Sequence, residues 1–156
     1  MHRSLNIHID TPDGARLGAW LYLPPGIPGD LGTPPTPFNV DTSLSTHPTI
    51  ILLHGNAATR AVKFRVEICA AYAAHFGANV LAIDYRGFGD STGVPSEEGL
   101  VIDARSAFDW VVEKGTKKED VLLVGMSLGT GVASALSAQL SDEGERTTAT
   151  RTVCFI

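Results

Sequence analysis

Three short, continuous apolar runs constrain the fold of this chain more than any other feature of its sequence. They are Ile50–Leu53, Val80–Ile83 and Val121–Val124. A strand with one wet face alternates in polarity, whereas a strand buried on both faces of a parallel sheet needs apolar side chains throughout. The runs therefore predict a mostly parallel sheet that is covered on both faces.

Helical spacing fills the intervals between and after these runs. Pro95 and Ser96, followed by two glutamates, suit a helix start, because a hydroxyl and negative charges meet unpaired N–H groups there. Gly77 and Gly115 suit helix ends. Strands alternating with helices predict an α/β fold with helices on both faces of the sheet. The apolar residues at steps of three and four are Val62, Val66, Cys69, Ala73 and Phe76; Leu100, Ala104, Phe108 and Val111; and Leu128, Val132, Leu136 and Leu140.

Different patterns flank this α/β segment on both sides. From Leu5 to Leu23 polarity alternates around a Thr11–Gly14 turn, which predicts an antiparallel hairpin. Residues 24–48 are rich in proline, glycine, serine and threonine, so we expect a mobile loop insert, with a docking loop as the functional alternative. Residues 141–156 have no period and are expected to form a loose tail. Residues 1–140 would then form one partial domain.

Composition excludes several classes of function. The length of 156 residues allows one domain, and a net charge of −5 with scattered acids argues against a nucleic-acid partner. Two cysteines are too few for a disulfide framework. No apolar stretch approaches the ~18–20 residues that a transmembrane helix needs, and no secretory signal is evident. The sequence favours a cytosolic protein, or one whose membrane anchor lies upstream of this chain.

The strongest functional signal is Gly125-Met126-Ser127-Leu128-Gly129, between a predicted strand and a predicted helix. A sharp strand-to-helix turn lifts a serine hydroxyl clear of a sheet, and glycines two residues away on both sides remove the bulk that would collide there. The following helix directs N–H groups towards a developing oxyanion. Ser127 is therefore predicted to be a nucleophile. The alternative is a buried or capping serine in a glycine-rich turn.

A second signal, His54-Gly55-Asn56-Ala57, follows the first buried strand. An oxyanion hole needs a donor besides the N–H after the nucleophile, and a loop at this place can supply it. The backbone N–H groups of Asn56 and Leu128 are the candidates. His54 is interpreted as a brace for the loop rather than a base. A nucleotide-binding domain would instead need a glycine-rich turn here.

These motifs together resemble the alpha/beta-hydrolase domain-containing lipases that cleave monoacylglycerols and lysophosphatidylserine. The likeness runs from about Thr49 to Leu140 and is carried by four segments: HGNAATRAVKFRVE, LAIDYRGFGDSTGVPSEEGL, DARSAFDWV and VGMSLGTGVA. Members of the wider group also act on acyl-protein thioesters.

The resemblance implies a serine ester hydrolase that acts on acyl lipids through an acyl-enzyme on Ser127, with no metal or cofactor. It also implies membrane association, at the endoplasmic reticulum. For Asp84 and Asp90 we expect a structural role in the loop after the second buried strand. Tyr85 and Phe88 are candidates to line an acyl-chain pocket, with burial in the core as the alternative.

The rest of a catalytic triad is not evident. In this fold the acid and the histidine follow the serine along the chain, yet all five histidines precede Ser127. The acids after it (Asp142, Glu143 and Glu145) lie in or beside the predicted tail. We therefore expect a truncated hydrolase domain with little activity of its own. The five histidines are His2, His8, His47, His54 and His75.

Truncation would also leave the strand at Val121–Val124 with an open edge, which invites self-association. A non-catalytic remnant that binds a lipid or a protein partner through that edge is the alternative function. A fragment with no function of its own is the third possibility.

Overall fold

A computed structural model describes residues 4–27 and 35–143, and the backbone of residues 151–155. The strands are β1 (Ser4–Asp10), β2 (Arg16–Tyr22), β3 (Thr49–Leu53), β4 (Asn79–Ile83), β5 (Val121–Met126) and β6 (Arg151–Phe155). The helices are α1 (Pro37–Thr46), α2 (Lys63–Phe76), α3 (Glu97–Glu113) and α4 (Leu128–Asp142), with a short 3-10 helix at Lys118–Asp120.

One sheet with the order β1-β2-β4-β3-β5-β6 organises these elements. The predicted hairpin is confirmed, because β1 and β2 pair antiparallel across the turn and β2 pairs antiparallel with β4. The pairs β4–β3, β3–β5 and β5–β6 are parallel. The carboxyl ends of β3, β4 and β5 consequently lie at the same edge of the sheet, where ligands bind in folds of this kind.

Helices cover both faces of the sheet, as predicted. The larger apolar cluster joins residues of α1, α3 and α4 to one face, and a smaller cluster joins α2 to the other. The predicted inner faces of α3 and α4 are confirmed except at Leu128, where the prediction is wrong because the side chain is exposed. At the end of α2 the prediction is wrong for Phe76, whose side chain is exposed.

The helix ends follow the expected chemistry. The Ser96 hydroxyl accepts a hydrogen bond from the Gly99 N–H at the start of α3, and Glu97 and Glu98 occupy its first turn. Gly77 ends α2 in a left-handed conformation with φ 58°. These local signals start α3 after the loop that follows β4, and they end α2 just before the amino end of β4.

The expectation of a loop throughout residues 24–48 is wrong for residues 37–46, which form α1. Thr36 and Asn39 make a reciprocal capping box and Pro37 occupies the first turn, where its missing N–H is harmless. Val40 and Leu44 are buried in the larger cluster. Residues 28–34 of the predicted loop lie outside the described residues.

The expectation of a loose tail over residues 141–156 is also wrong in part. α4 continues to Asp142, and residues 151–155 form β6, which pairs with β5 from Leu122↔Arg151 to Met126↔Phe155. The edge of β5 is therefore not open, and an interaction through that edge loses its structural basis. Residues 144–150, which include Glu145, lie outside the described part of the chain.

Candidate active site

Ser127 occupies the turn between β5 and α4 in a conformation that is rare for any residue other than glycine. Its φ is 50° and its ψ is −116°, and its side chain is exposed. L-residues adopt positive φ only at a cost, and such outliers concentrate at functional sites. The hydroxyl thus stands at the edge where the parallel strands end, as the sequence motif requires.

Steric crowding requires glycine at the two positions that flank the turn. A Cβ at Gly125 would overlap the backbone carbonyl of Gly129, and a Cβ at Gly129 would overlap the carbonyl oxygen of Leu53. The turn from strand to helix therefore passes so close to itself and to β3 that no side chain fits at either position.

The predicted donor loop after β3 lies against this serine. A Cβ at Gly55 would be 3.2 Å from the Ser127 Cβ and 3.8 Å from its Oγ. Leu128 is the first residue of α4, so its N–H belongs to the helix turn that has no intrahelical acceptor. The structure brings Ser127, Leu128 and the loop of Asn56 together, and the oxyanion hole of Asn56 and Leu128 stays a prediction.

A pocket of about 430 Å³ opens beside these residues and is lined by both Asn56 and Leu128. Its volume lies within the roughly 300–1,000 Å³ typical of small-molecule sites. Phe88 lines this pocket, whereas Tyr85 is fully buried in the larger apolar cluster. Of the two aromatic candidates, only Phe88 is therefore placed to touch a ligand. Other apolar lining residues are Leu100, Val101, Val132 and Ala135.

A buried arginine in α2 holds the donor loop through two hydrogen bonds. Arg65 is 5% exposed, and its two terminal amines donate to the backbone carbonyls of Thr59 (2.7 Å) and Ala57 (2.8 Å). Between them, Ala58 has a left-handed φ of 60°. Burial lowers the pKa of Arg65, and the nearby charge of Asp84 works against that shift. Sequence reasoning missed this role, since an arginine on a helix is normally assumed to be solvated.

Asp84 and Asp90 have the structural role that was expected. Buried Asp84 accepts hydrogen bonds from the backbone N–H and the guanidinium of Arg60, which also donates to Asp90 at 2.7 Å. Burial works against the charge of Arg60, but the Asp90 hydrogen bond and the Asp84 charge outweigh it and raise the pKa of the guanidinium. The network ties the donor loop to the loop after β4.

His54 is a brace, as interpreted from the sequence. Its ring is 1% exposed, its Nδ1 lies 2.7 Å from the Gly55 carbonyl oxygen, and its Nε2 lies 3.4 Å from Asp84 without hydrogen-bond geometry. It packs against the rings of Tyr85 and Phe88. Nδ1 thus lies against the loop after β3, and Nε2 lies against the residue that follows β4.

The other described histidines are far from Ser127. His47 and His75 precede the amino ends of β3 and β4, at the opposite edge of the sheet. His8 is in β1, four strand positions from β5, or ~19 Å at ordinary strand spacing. His2 lies outside the described residues.

The described acids that follow the serine are equally remote. Asp142 and Glu143 lie at the far end of α4, roughly 22 Å along the helix axis from Ser127. The Glu143 carboxylate accepts a hydrogen bond from Arg105 at 2.6 Å. Among residues 4–27 and 35–143, then, the structure brings no histidine or carboxylate to the serine as a base and its partner.

No three His, Cys, Asp or Glu side chains of residues 4–27 and 35–143 gather as metal ligands would. No helix in the described ranges combines the length and apolarity that crossing a bilayer demands.

Comparison with known proteins places the chain in a family. The alpha/beta hydrolase fold family matches residues 48–144, which include both the donor loop and the serine turn. The chain belongs to the α/β-hydrolase family. This confirms the resemblance inferred from the sequence motifs.

The curated relatives of this α/β-hydrolase chain are considerably longer than the chain itself. Lysophosphatidylserine lipase ABHD12 of Danio rerio is 35% identical over 144 residues, which is 92% of this chain and 37% of that protein. Protein ABHD12B of Homo sapiens is 35% identical over 141 residues, or 90% of this chain and 38% of that protein. The chain thus spans little more than a third of the relatives' length.

Solved structures agree on the fold. Brefeldin A esterase, described as a bacterial homologue of human hormone-sensitive lipase, superposes with a TM-score of 0.67 at 21% identity, covering 92% of this chain and 37% of that one. A hyperthermophilic esterase from Pyrobaculum calidifontis gives 0.66 at 22% identity, covering 93% and 41%. Both confirm the α/β-hydrolase fold.

Proposed function

We propose that this chain carries the nucleophile and oxyanion-hole portion of a serine ester hydrolase that cleaves monoacylglycerols or lysophospholipids. The observation that carries the proposal is the exposed Ser127 at a strained turn, packed against Gly55 beside an apolar pocket. The names of relatives such as the Danio rerio lysophosphatidylserine lipase support the substrate class.

The geometry supports a two-step reaction. A general base takes the hydroxyl proton of Ser127 while Oγ attacks the ester carbonyl carbon, and the N–H groups of Asn56 and Leu128 donate to the resulting oxyanion. The C–O bond to the alcohol then breaks, and the alcohol leaves with the proton. Water hydrolyses the acyl-enzyme by the reverse sequence and releases a fatty acid.

A base has to come from outside residues 4–27 and 35–143, because no described histidine there reaches Ser127. In a serine protease, loss of the base costs on the order of a millionfold in turnover. We therefore infer that the 156-residue chain turns over esters at close to the background rate. A hydroxyl without a base remains protonated at neutral pH and is a weak nucleophile.

Labelling with a fluorophosphonate probe tests the proposal. Imidazole added to the buffer can replace a missing histidine, so it should accelerate labelling of the purified chain, and peptide mass spectrometry should find the adduct on Ser127. Ser127→Ala should abolish the labelling. Ser134→Ala removes an exposed hydroxyl seven residues along the same helix and should leave it unchanged.

Two results would contradict the proposal in different ways. If Ser127 stays unlabelled even with imidazole, while a full-length relative is labelled under the same conditions, the serine is not a nucleophile of this chain. If the chain alone hydrolyses monoacylglycerol at the rate of that relative, the inference about the base is wrong.

A further inference from the structure

A groove continues from the pocket beside Ser127 along the boundary of α3 and α4. The pocket of about 430 Å³ and a second cavity of about 440 Å³ share three lining residues: Glu97, Val101 and Ala135. Together they extend from Leu128 to Gln139, which is roughly 16 Å along α4 at the ordinary helical rise. The two cavities therefore form one groove that runs lengthwise along α4.

The chemistry of the lining differs between the middle and the ends of the groove. Its polar groups next to Ser127 and at the start of α3 are Asn56, Ser96 and Glu97, and the Ser96 hydroxyl is already bound to the Gly99 N–H. Glu98 and Gln139 line the end that is farther from Ser127. Between them the wall is apolar, formed by Phe88, Leu100, Val101, Leu128, Val132 and Ala135. An unbranched hydrocarbon chain whose carbonyl lies at Ser127 matches this shape and polarity.

Gly131 in the wall of the groove has no packing or backbone reason to be a glycine. It lies inside α4 and is exposed, its φ is not left-handed, and a Cβ built on it would meet no atom within 4 Å. Gly125 and Gly129, in the same turn, are crowded by backbone. Glycine weakens a helix interior relative to alanine, so the open space at position 131 comes at a cost to the stability of α4.

We propose that Gly131 determines access to an acyl-chain site in the groove between α3 and α4. The missing side chain leaves room for the first methylenes beyond the ester carbonyl, and the chain then continues along Val101 and Ala135. The ligand class is a single unbranched acyl chain, which deepens the proposed function and rests on it. Gly131 touches the chain of the substrate and takes no part in bond making.

Binding measurements on the 156-residue chain test this without requiring turnover. The probe is cis-parinaric acid, a fluorescent fatty acid, with dodecanoate and acetate as long and short competitors. Gly131→Leu fills the groove without meeting a neighbouring atom at Cβ, and Gly131→Ala fills it less. Ser134→Leu adds the same side chain to an exposed position of the same helix and is the matched control.

The expected result is saturable binding by the wild type that dodecanoate displaces and acetate does not. Gly131→Leu should weaken binding by about tenfold or more, since a single misplaced methylene in an apolar pocket is worth ~10–200-fold. Gly131→Ala should fall between the two. Ser134→Leu should bind as the wild type does, and circular dichroism should show all variants equally folded.

Three results would overturn the proposal. They are no saturable binding by the wild type, equal binding by Gly131→Leu, or an equal loss in Ser134→Leu. Light scattering that shows a dimer, together with failure to bind the probe, would assign the groove to a second copy of the chain. Ser127→Ala should still bind cis-parinaric acid, so a failure of the nucleophile proposal is distinguishable from a failure of this one.

Discussion

At the scale of single residues, the turn at Ser127 was predictable because its constraints are local. Gly125 and Gly129 are required by backbone atoms within a few residues or on the adjacent strand, so the motif itself contains the steric argument. Arg65 was not predictable in the same way. Its contacts with two carbonyls depend on how α2 docks against the donor loop, and no local pattern distinguishes it from a solvated helix arginine.

The glycines of the turn region give a residue-scale prediction. Gly125→Ala and Gly129→Ala should each destabilise the protein by about 1–3 kcal/mol, because the new methyl overlaps backbone that cannot move aside. Gly131→Ala should instead stabilise it by about 0.8–1 kcal/mol through helix propensity. Urea unfolding measures all three, and a destabilising Gly131→Ala would show that this position is crowded after all.

At the scale of elements, α1 shows what composition conceals. A proline-rich, polar segment predicts a loop on average, yet Thr36, Pro37 and Asn39 form a helix start whose signal is the spacing of three residues. The helix is then held from outside the segment, since the Thr116 hydroxyl donates to the Leu44 carbonyl at 2.9 Å. Tertiary contacts of this kind override the average preference of a sequence.

The hairpin turn provides an element-scale prediction about pH. Arg86 donates to the two carboxylate oxygens of Asp13 at 2.7 and 3.0 Å, and these hydrogen bonds lower the pKa of Asp13 from 3.8 to about 2. A carboxyl group whose pKa is depressed by folding stabilises the protein above its unfolded pKa, and this contribution disappears as the pH falls towards the folded value.

Asp13→Asn should therefore be less stable than the wild type at pH 6, and the difference should vanish between about pH 4 and pH 2. Urea midpoints measured across this range test the expectation. Asp10→Asn, which removes the partner of Arg16 in a long and exposed ion pair, is the control and should change little at any pH. A pH-independent difference for Asp13→Asn would show that the ion pair is not its source.

At the scale of the whole molecule, the parallel core of the sheet was foreseen and its outer edge was not. The runs in β3, β4 and β5 can be recognised as buried strands from the sequence because each is apolar throughout. β6 has the sequence RTVCF, in which a short apolar stretch follows two polar residues, so no pattern marks it. Its position beside β5 depends on a pairing that only the folded sheet supplies.

Removal of residues 144–156 tests the importance of this last strand. The deletion would expose the N–H and C=O groups along one side of β5, an apolar strand, and we expect the shortened chain to self-associate and to unfold at lower urea. Light scattering after size exclusion measures the association. Val153→Pro, which keeps the length but places a proline within β6, should act in the same direction more weakly.

Arg60 contacts residues of several elements, and these contacts bear on how the molecule moves. Its guanidinium holds Asp84 and Asp90, lies 5.0 Å from the ring centroid of Trp20 in β2, and donates to Asn6 in β1 at 3.2 Å. The loop next to Ser127 is therefore fastened to the amino-terminal hairpin as well as to its own strand. Fraying of that hairpin would loosen the proposed oxyanion donors while the central strands remain intact.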